Sequence, residues 1–101
     1  MLGIDASGTL IETVSGTTPS ITGVPNTTYQ CGEVATISIT PPANGTIDVI
    51  FTSGSTAAVL TVPNTVKLPA WFDATSLDTD TIYEIMITNG VYGSVMTWAA
   101  T

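Results

Sequence analysis

The sequence predicts an all-β chain, a small antiparallel β-sandwich with a C-terminal β-hairpin and at most one short helical turn. Three observations carry that expectation. Thr makes up about a fifth of the 101 residues and Val and Ile are plentiful, which favours pleated over helical backbone. Gly or Pro interrupts almost every stretch, so the strands must be short. Several segments alternate apolar and polar residues with the period of two of a half-buried strand.

Residues 1–24 are rich in Gly, Ser and Thr, with one apolar run at Thr9 to Val14 and a turn signal at Gly16 to Pro19. They read as an extended arm or first strand, followed by a sandwich domain over 25–101. Thr27 to Cys31 predicts a short strand. From Glu33 to Thr40, Ala35, Ile37 and Ile39 alternate with Thr36, Ser38 and Thr40, and Pro41-Pro42 must end that strand because proline donates no ladder hydrogen bond. After Asn44-Gly45 the alternation resumes with Ile47, Val49 and Phe51, so the two strands are expected to form an antiparallel pair. Ala57 to Val62 reads as a further strand and Val66 to Leu68 as a brief edge strand. Ala70 to Asp80 is the one plausible helical turn, its Trp71 and Phe72 plugging an end of the core.

Thr81 to Thr88 and Val91 to Trp98 flank Asn89-Gly90, the strongest short hairpin signal, since a type I′ turn needs positive φ at both central residues. A two-residue loop pairs Thr88 with Val91, Ile87 with Tyr92, Ile85 with Ser94, Tyr83 with Met96 and Thr81 with Trp98. That register puts Tyr83, Ile85, Ile87, Tyr92, Met96 and Trp98 on the core face. The reverse face then holds Ile82, Met86, Val91 and Val95, too apolar for solvent, and these four are the expected oligomer interface.

Composition excludes most chemistry. The chain carries eight acidic residues, one basic residue and no His, for a net charge of −7. Without His or Arg, and with Cys31 and Lys67 alone of their kinds, neither a Ser-His-Asp nor a Cys-His constellation nor a His-bearing zinc site can form. The acidity argues equally against nucleic acid, whose affinity comes from Lys and Arg releasing counterions. No enzyme activity and no cofactor are expected. Met1 to Gly8 lacks a secretory pattern and no apolar run approaches the ~18 residues of a membrane span, so no membrane insertion is expected. Only 9% of the residues are charged, against about 25% in ordinary domains. Such low charge beside so much apolar surface implies that other chains cover part of it.

The remaining candidates are weaker. Asp73, Asp78 and Asp80 could bind Ca²⁺, but without the Gly turn and terminal Glu of an EF-hand loop they read as capping and turn residues. Trp71, Phe72, Tyr83, Tyr92 and Trp98 could face a sugar ring, though core packing is the simpler use of aromatics in a small β fold. Glu33 and Asp48 on adjacent strands are the one conceivable acid pair, in a chain with little room for a cleft. Cys31 reads as a small buried hydrophobe.

A string of motifs adds a resemblance. Thr28-Tyr29-Gln30-Cys31-Gly32-Glu33-Val34, Thr40-Pro41-Pro42-Ala43-Asn44-Gly45, Asp48-Val49-Ile50-Phe51-Thr52-Ser53-Gly54, Lys67-Leu68-Pro69-Ala70-Trp71-Phe72 and Asn89-Gly90-Val91-Tyr92-Gly93 occur in this order. Together they resemble a small module, often C-terminal, of structural proteins of bacteriophages that infect Firmicutes. The resemblance covers Val14 to Trp98 and brings no catalytic residues with it. It implies a virion protein that associates with its own copies, a trimer being favoured, and with other virion proteins, decorating or capping a head, tail or fibre. The alternative it implies is a module at a tail-fibre tip that binds host-surface carbohydrate.

Overall fold

The computed structural model describes the backbone of residues 2–4 and the whole of residues 10–100. Among these the strands are β1 (Leu2–Ile4), β2 (Leu10–Val14), β3 (Ser20–Thr22), β4 (Thr27–Glu33), β5 (Thr36–Thr40), β6 (Thr46–Ser53), β7 (Val59–Thr61), β8 (Thr81–Thr88) and β9 (Tyr92–Ala99). They make a six-stranded sheet in the order β1-β2-β4-β6-β8-β9 and a three-stranded sheet in the order β3-β5-β7. The fold is all-β, with two layers around one core, as the alternation of apolar residues predicts.

Strand direction departs from the expectation. From β2 to β7 the chain alternates between the sheets, so each circuit returns a strand beside, and parallel to, the one laid down a circuit earlier. The same holds in the small sheet, where β3-β5 and β5-β7 are both parallel. β5 and β6 are therefore not an antiparallel pair; Pro41 to Gly45 carries the chain across the edge of the sandwich from one sheet to the other. Among the described residues antiparallel pairing is confined to β1-β2, β6-β8 and β8-β9. Period-two burial is the same for either direction, which is why alternation alone did not reveal it.

The core lies between the layers. Tyr29, Ile47, Val49, Phe51, Tyr83, Ile85 and Ile87 from the large sheet meet Ile21, Ile37, Ile39 and Leu60 from the small one, and all are buried. Ile21 on β3 belongs to that core, so the sandwich begins before the expected boundary at residue 25. Residues 1 and 5–9 of the expected arm lie outside the described residues. The two core tyrosines satisfy their hydroxyls locally: Val24 N–H donates to Tyr29 Oη at 2.8 Å and Asp78 N–H to Tyr83 Oη at 2.8 Å. Ala70 to Asp80 forms turns and no helix, closed by Phe72 N–H to Pro69 O at 3.0 Å and Ser76 N–H to Asp73 O at 3.1 Å. Phe72 packs edge-on against Tyr83 at 5.8 Å and Leu77 is buried, while Trp71 is exposed.

Two turns lock together at one end of the large sheet. Gly45 N–H donates to Asn89 Oδ1 at 3.0 Å and Asn89 N–H to Gly45 O at 2.8 Å. Gly45 has φ +85°, and a Cβ there would stand 2.7 Å from Pro25 Cβ. Gly45→Ala combines left-handed strain with that clash and is expected to cost about 1–3 kcal/mol, read as a lower urea midpoint with an unchanged slope.

The hairpin register is shifted by one residue from the expected one. Asn89 (φ 53°) and Gly90 (φ 68°) do make the expected turn, closed by Val91 N–H to Thr88 O at 3.1 Å. The ladder, however, pairs Thr88 with Tyr92, Ile87 with Gly93, Ile85 with Val95 and Tyr83 with Thr97. Val91 and Tyr92 together stand opposite Thr88, a bulge that turns every later side chain of β9 to the other face. The cause lies outside the hairpin. Lys67 N–H donates to Val91 O at 2.6 Å and Gly93 N–H donates to Lys67 O at 2.8 Å, so the Val66–Leu68 segment takes the backbone groups that the tighter register would need. It also fills the space: a Cβ on Gly93 would meet Leu68 Cδ2 at 2.9 Å, leaving no room for Tyr92 opposite Ile87.

Candidate functional site

The feature of this molecule that calls for a function is the outer face of the six-stranded sheet. Because Val49, Phe51, Tyr83, Ile85 and Ile87 point inward, the alternate residues Asp48, Ile50, Ile82, Glu84 and Met86 point outward. The register sets Asp48, Met86 and Ser94 in one cross-strand row, Ile50, Glu84 and Met96 in the next, and Ile82 with Trp98 in a third. Tyr92 is 64% exposed, Met96 54%, Trp98 45% and Met86 39%. Large apolar side chains this open, adjacent on two strands, form a patch rather than the scattered exposure that any surface shows.

Of the four residues expected at an oligomer interface, two lie on this face and two do not. Ile82 and Met86 lie on this face. Val95 faces the core instead, half-buried against it, and Val91 sits in the turn outside the ladder. The bulge exchanges them for Tyr92, Met96 and Trp98, which the two-residue-loop register had placed inside. Lys67-Leu68 before the Pro69 turn and Gly93 within the strand are the sequence features that bring this about. Their effect is visible only once the segments meet.

An acid pair lies within the apolar face. Asp48 and Glu84 sit on neighbouring strands, diagonal to each other, and their carboxyl groups hydrogen-bond. Asp48 is pushed up to about 8, first by burial, then by that hydrogen bond and by the negative charge of Glu84. Its Oδ1 is shielded from solvent and has no hydrogen-bond partner among the described residues. Asp48 borders a shallow depression of about 160 Å³ lined also by Asn26, Thr28, Thr46 and Met86. The expected partner, Glu33, is elsewhere: it pairs with Thr52, four positions along β6 from Asp48 and so roughly 13 Å away. Asp48 and Glu84 thus form a side-by-side carboxyl pair on the outer face of the sheet.

Asp73 and Asp78 border one depression, but Asp80 does not line it with them. Asp73 Oδ1 accepts from Thr75 N–H at 2.9 Å and from the Thr75 hydroxyl at 2.6 Å, bonds that pull its pKa down, as in a turn-forming aspartate. Among the described residues no three His, Cys, Asp or Glu side chains converge as a metal site would need. Of the five aromatics, Tyr83 is buried and Phe72 half-buried, while Trp71, Tyr92 and Trp98 are exposed. Trp71 is 66% exposed and borders a depression of about 200 Å³ with Phe72, Asp73, Ser76, Asp78 and Tyr83. Cys31 is half-buried beside the core and its thiol is pushed up to about 11 by burial, consistent with an inert packing role. Comparison of the chain with protein-family models, with curated proteins and with solved structures finds no match.

Proposed function

We propose that this protein is a structural protein of a bacteriophage virion that works by association rather than catalysis, decorating or capping a larger assembly. One observation carries the reading: the open apolar face of β8 and β9, bearing Met86, Tyr92, Met96 and Trp98, on a chain with little charge elsewhere to keep such a face in water. Burying it between copies removes apolar area from solvent at about 25 cal/mol per Å². The net charge of −7 keeps finished particles apart. The motif string from Val14 to Trp98 supports a virion setting and contacts with other virion proteins. Light scattering tests the association. A mass of two or three times 10.4 kDa is expected, falling to a single chain in Met96→Lys with the melting temperature of the dissociated chain unchanged. A lone chain at every concentration would sink the reading.

The exposure of Trp71 favours a second reading, a carbohydrate-binding module at a fibre tip. An indole face beside Asp73, Ser76 and Asp78 offers stacking to a sugar ring and acceptors to its hydroxyls. Tyr92 and Trp98 do not add to that site or form one together, being six residues apart on one strand, roughly 20 Å. A glycan array that gives no signal, or a signal that survives Trp71→Ala, removes this reading.

A further inference from the structure

We infer that β9 pairs edge to edge with β9 of a second copy of this chain, antiparallel and centred on Thr97, so that the six-stranded sheet continues across a two-fold axis. This rests on the self-association proposed above and places its contact at the edge of the apolar face, where Met96 and Trp98 of the two copies meet, rather than over the centre of that face. Among the described residues β9 is the last strand of its sheet. Its eight residues, Tyr92–Ala99, include no charge and no proline, and its ladder with β8 runs without a break. Natural edges of this length are normally blunted by Lys, Pro or a bulge along their length, because unpaired N–H and C=O groups recruit another strand.

The backbone dictates which groups are free. Gly93 N–H is spent on Lys67 O, away from β8, and Ala100 N–H on Asp80 O, toward the β8 side. By the alternation of an antiparallel ladder, the N–H and C=O of Val95, Thr97 and Ala99 then face outward, and no strand pairs with them among the described residues. Lys67 covers the edge only as far as Gly93, which leaves Ser94 onward open. A partner strand must place its own outward residues opposite these three, and avoid Gly93. Centring on Thr97 does both: Val95 meets Ala99, Met96 meets Trp98, and Thr97 meets its own copy.

The choice of a second copy over a foreign strand comes from the pattern of the segment. Read from either end, Val95-Met96-Thr97-Trp98-Ala99 has small or branched apolar residues on the core side, large apolar residues on the outer side, and Thr at the centre. A two-fold operation therefore superposes like on like. It sets the Met96 sulfur beside the partner's indole and pairs two threonine hydroxyls across strands. The same sheet already makes that hydroxyl contact, Thr46 Oγ1 to Thr88 Oγ1 at 3.1 Å. With no charge on β9, two chains of net charge −7 bring no like charges into direct opposition along the seam. A two-fold pair also makes the assembly a dimer in place of the trimer that the resemblance implies.

Two substitutions test it in the full chain. Under mild oxidation Thr97→Cys is expected to form a disulfide-linked pair, since residues paired across the axis have Cα atoms about 5.5 Å apart, within disulfide reach. Ser94→Cys, roughly 20 Å from its own copy, is expected to stay unlinked. The native Cys31, half-buried with a raised pKa, is the inert background. Thr97→Pro deletes an N–H that faces away from β8, so the fold should survive while the mass falls from two chains to one. Should Thr97→Pro fail to fold, the cysteine pair decides. A self-associated chain in which Ser94→Cys links as fast as Thr97→Cys, or a three-chain mass, overturns the edge pairing and leaves self-association standing. A single-chain mass for the unaltered protein at every concentration overturns both.

Discussion

Phe51→Ala is expected to cost the fold about 3–5 kcal/mol, enough to leave a domain of this size unfolded or nearly so at 37 °C. Phe51 is fully buried on the central strand of the large sheet and stacks on Tyr83 with ring centroids 5.6 Å apart. Tyr83 in turn meets Phe72 edge-on and accepts the N–H of Asp78. Truncation leaves a cavity at the centre of this aromatic chain and loosens the Ala70–Asp80 turns that depend on it. Trp98→Ala deletes a larger side chain and should cost the isolated chain less than about 1 kcal/mol, because Trp98 is on the outer face. Chemical denaturation of the pair measures the hairpin register directly. If both substitutions cost the same, Trp98 is in the core and the bulge at Val91 is wrong.

Asp48→Asn should stabilise the protein at alkaline pH and leave it unchanged at acid pH. The folded-state pKa of Asp48, about 8, lies above the ordinary carboxylate value near 4. Protonation therefore favours the native state. The contribution is fully present below pH ~4 and is lost as pH rises through about 8, where the folded chain must ionise a second carboxyl beside Glu84. Asp48 is only half-buried, so solvent screening reduces the penalty at pH 9 to about 1–2 kcal/mol. In thermal melts of a domain this small that is roughly 5–10 °C. Asn keeps the shape and still donates to Glu84. The expected result is a melting-temperature difference near zero at pH 4 that opens with rising pH. A difference that does not vary from pH 4 to 9 would refute the raised pKa.

The candidate face divides along the same line as the register. Ile82 and Met86 were readable because they sit on β8, whose burial pattern follows its own alternation. Tyr92, Met96 and Trp98 were not, because the face that β9 presents depends on one residue in the turn, and no feature within the hairpin announces the bulge. The partnership of Asp48 with Glu84 was hidden for a related reason. It needs β6 and β8 to be neighbours, and the chain between them, Gly54 to Asp80, visits the other sheet first. Asp48 and Glu33 looked like neighbours only if adjacent strands in the chain were adjacent in the sheet with no stagger.

What composition and periodicity settled was local: an all-β chain, strands within Glu33 to Thr40, Thr46 to Thr52 and Thr81 to Thr88, a type I′ turn at Asn89-Gly90, and a core of Ile37, Ile39, Ile47, Val49, Phe51, Ile85 and Ile87. These follow from sterics and burial, which act within a few residues. Which strands pair, in which direction and with which face of β9 outward was decided by contacts between distant segments. Foremost among them is the grip of Lys67 on Val91 and Gly93. A period of two records only that one face of a strand is buried. The partner that buries it is chosen by backbone hydrogen bonds and space elsewhere in the fold.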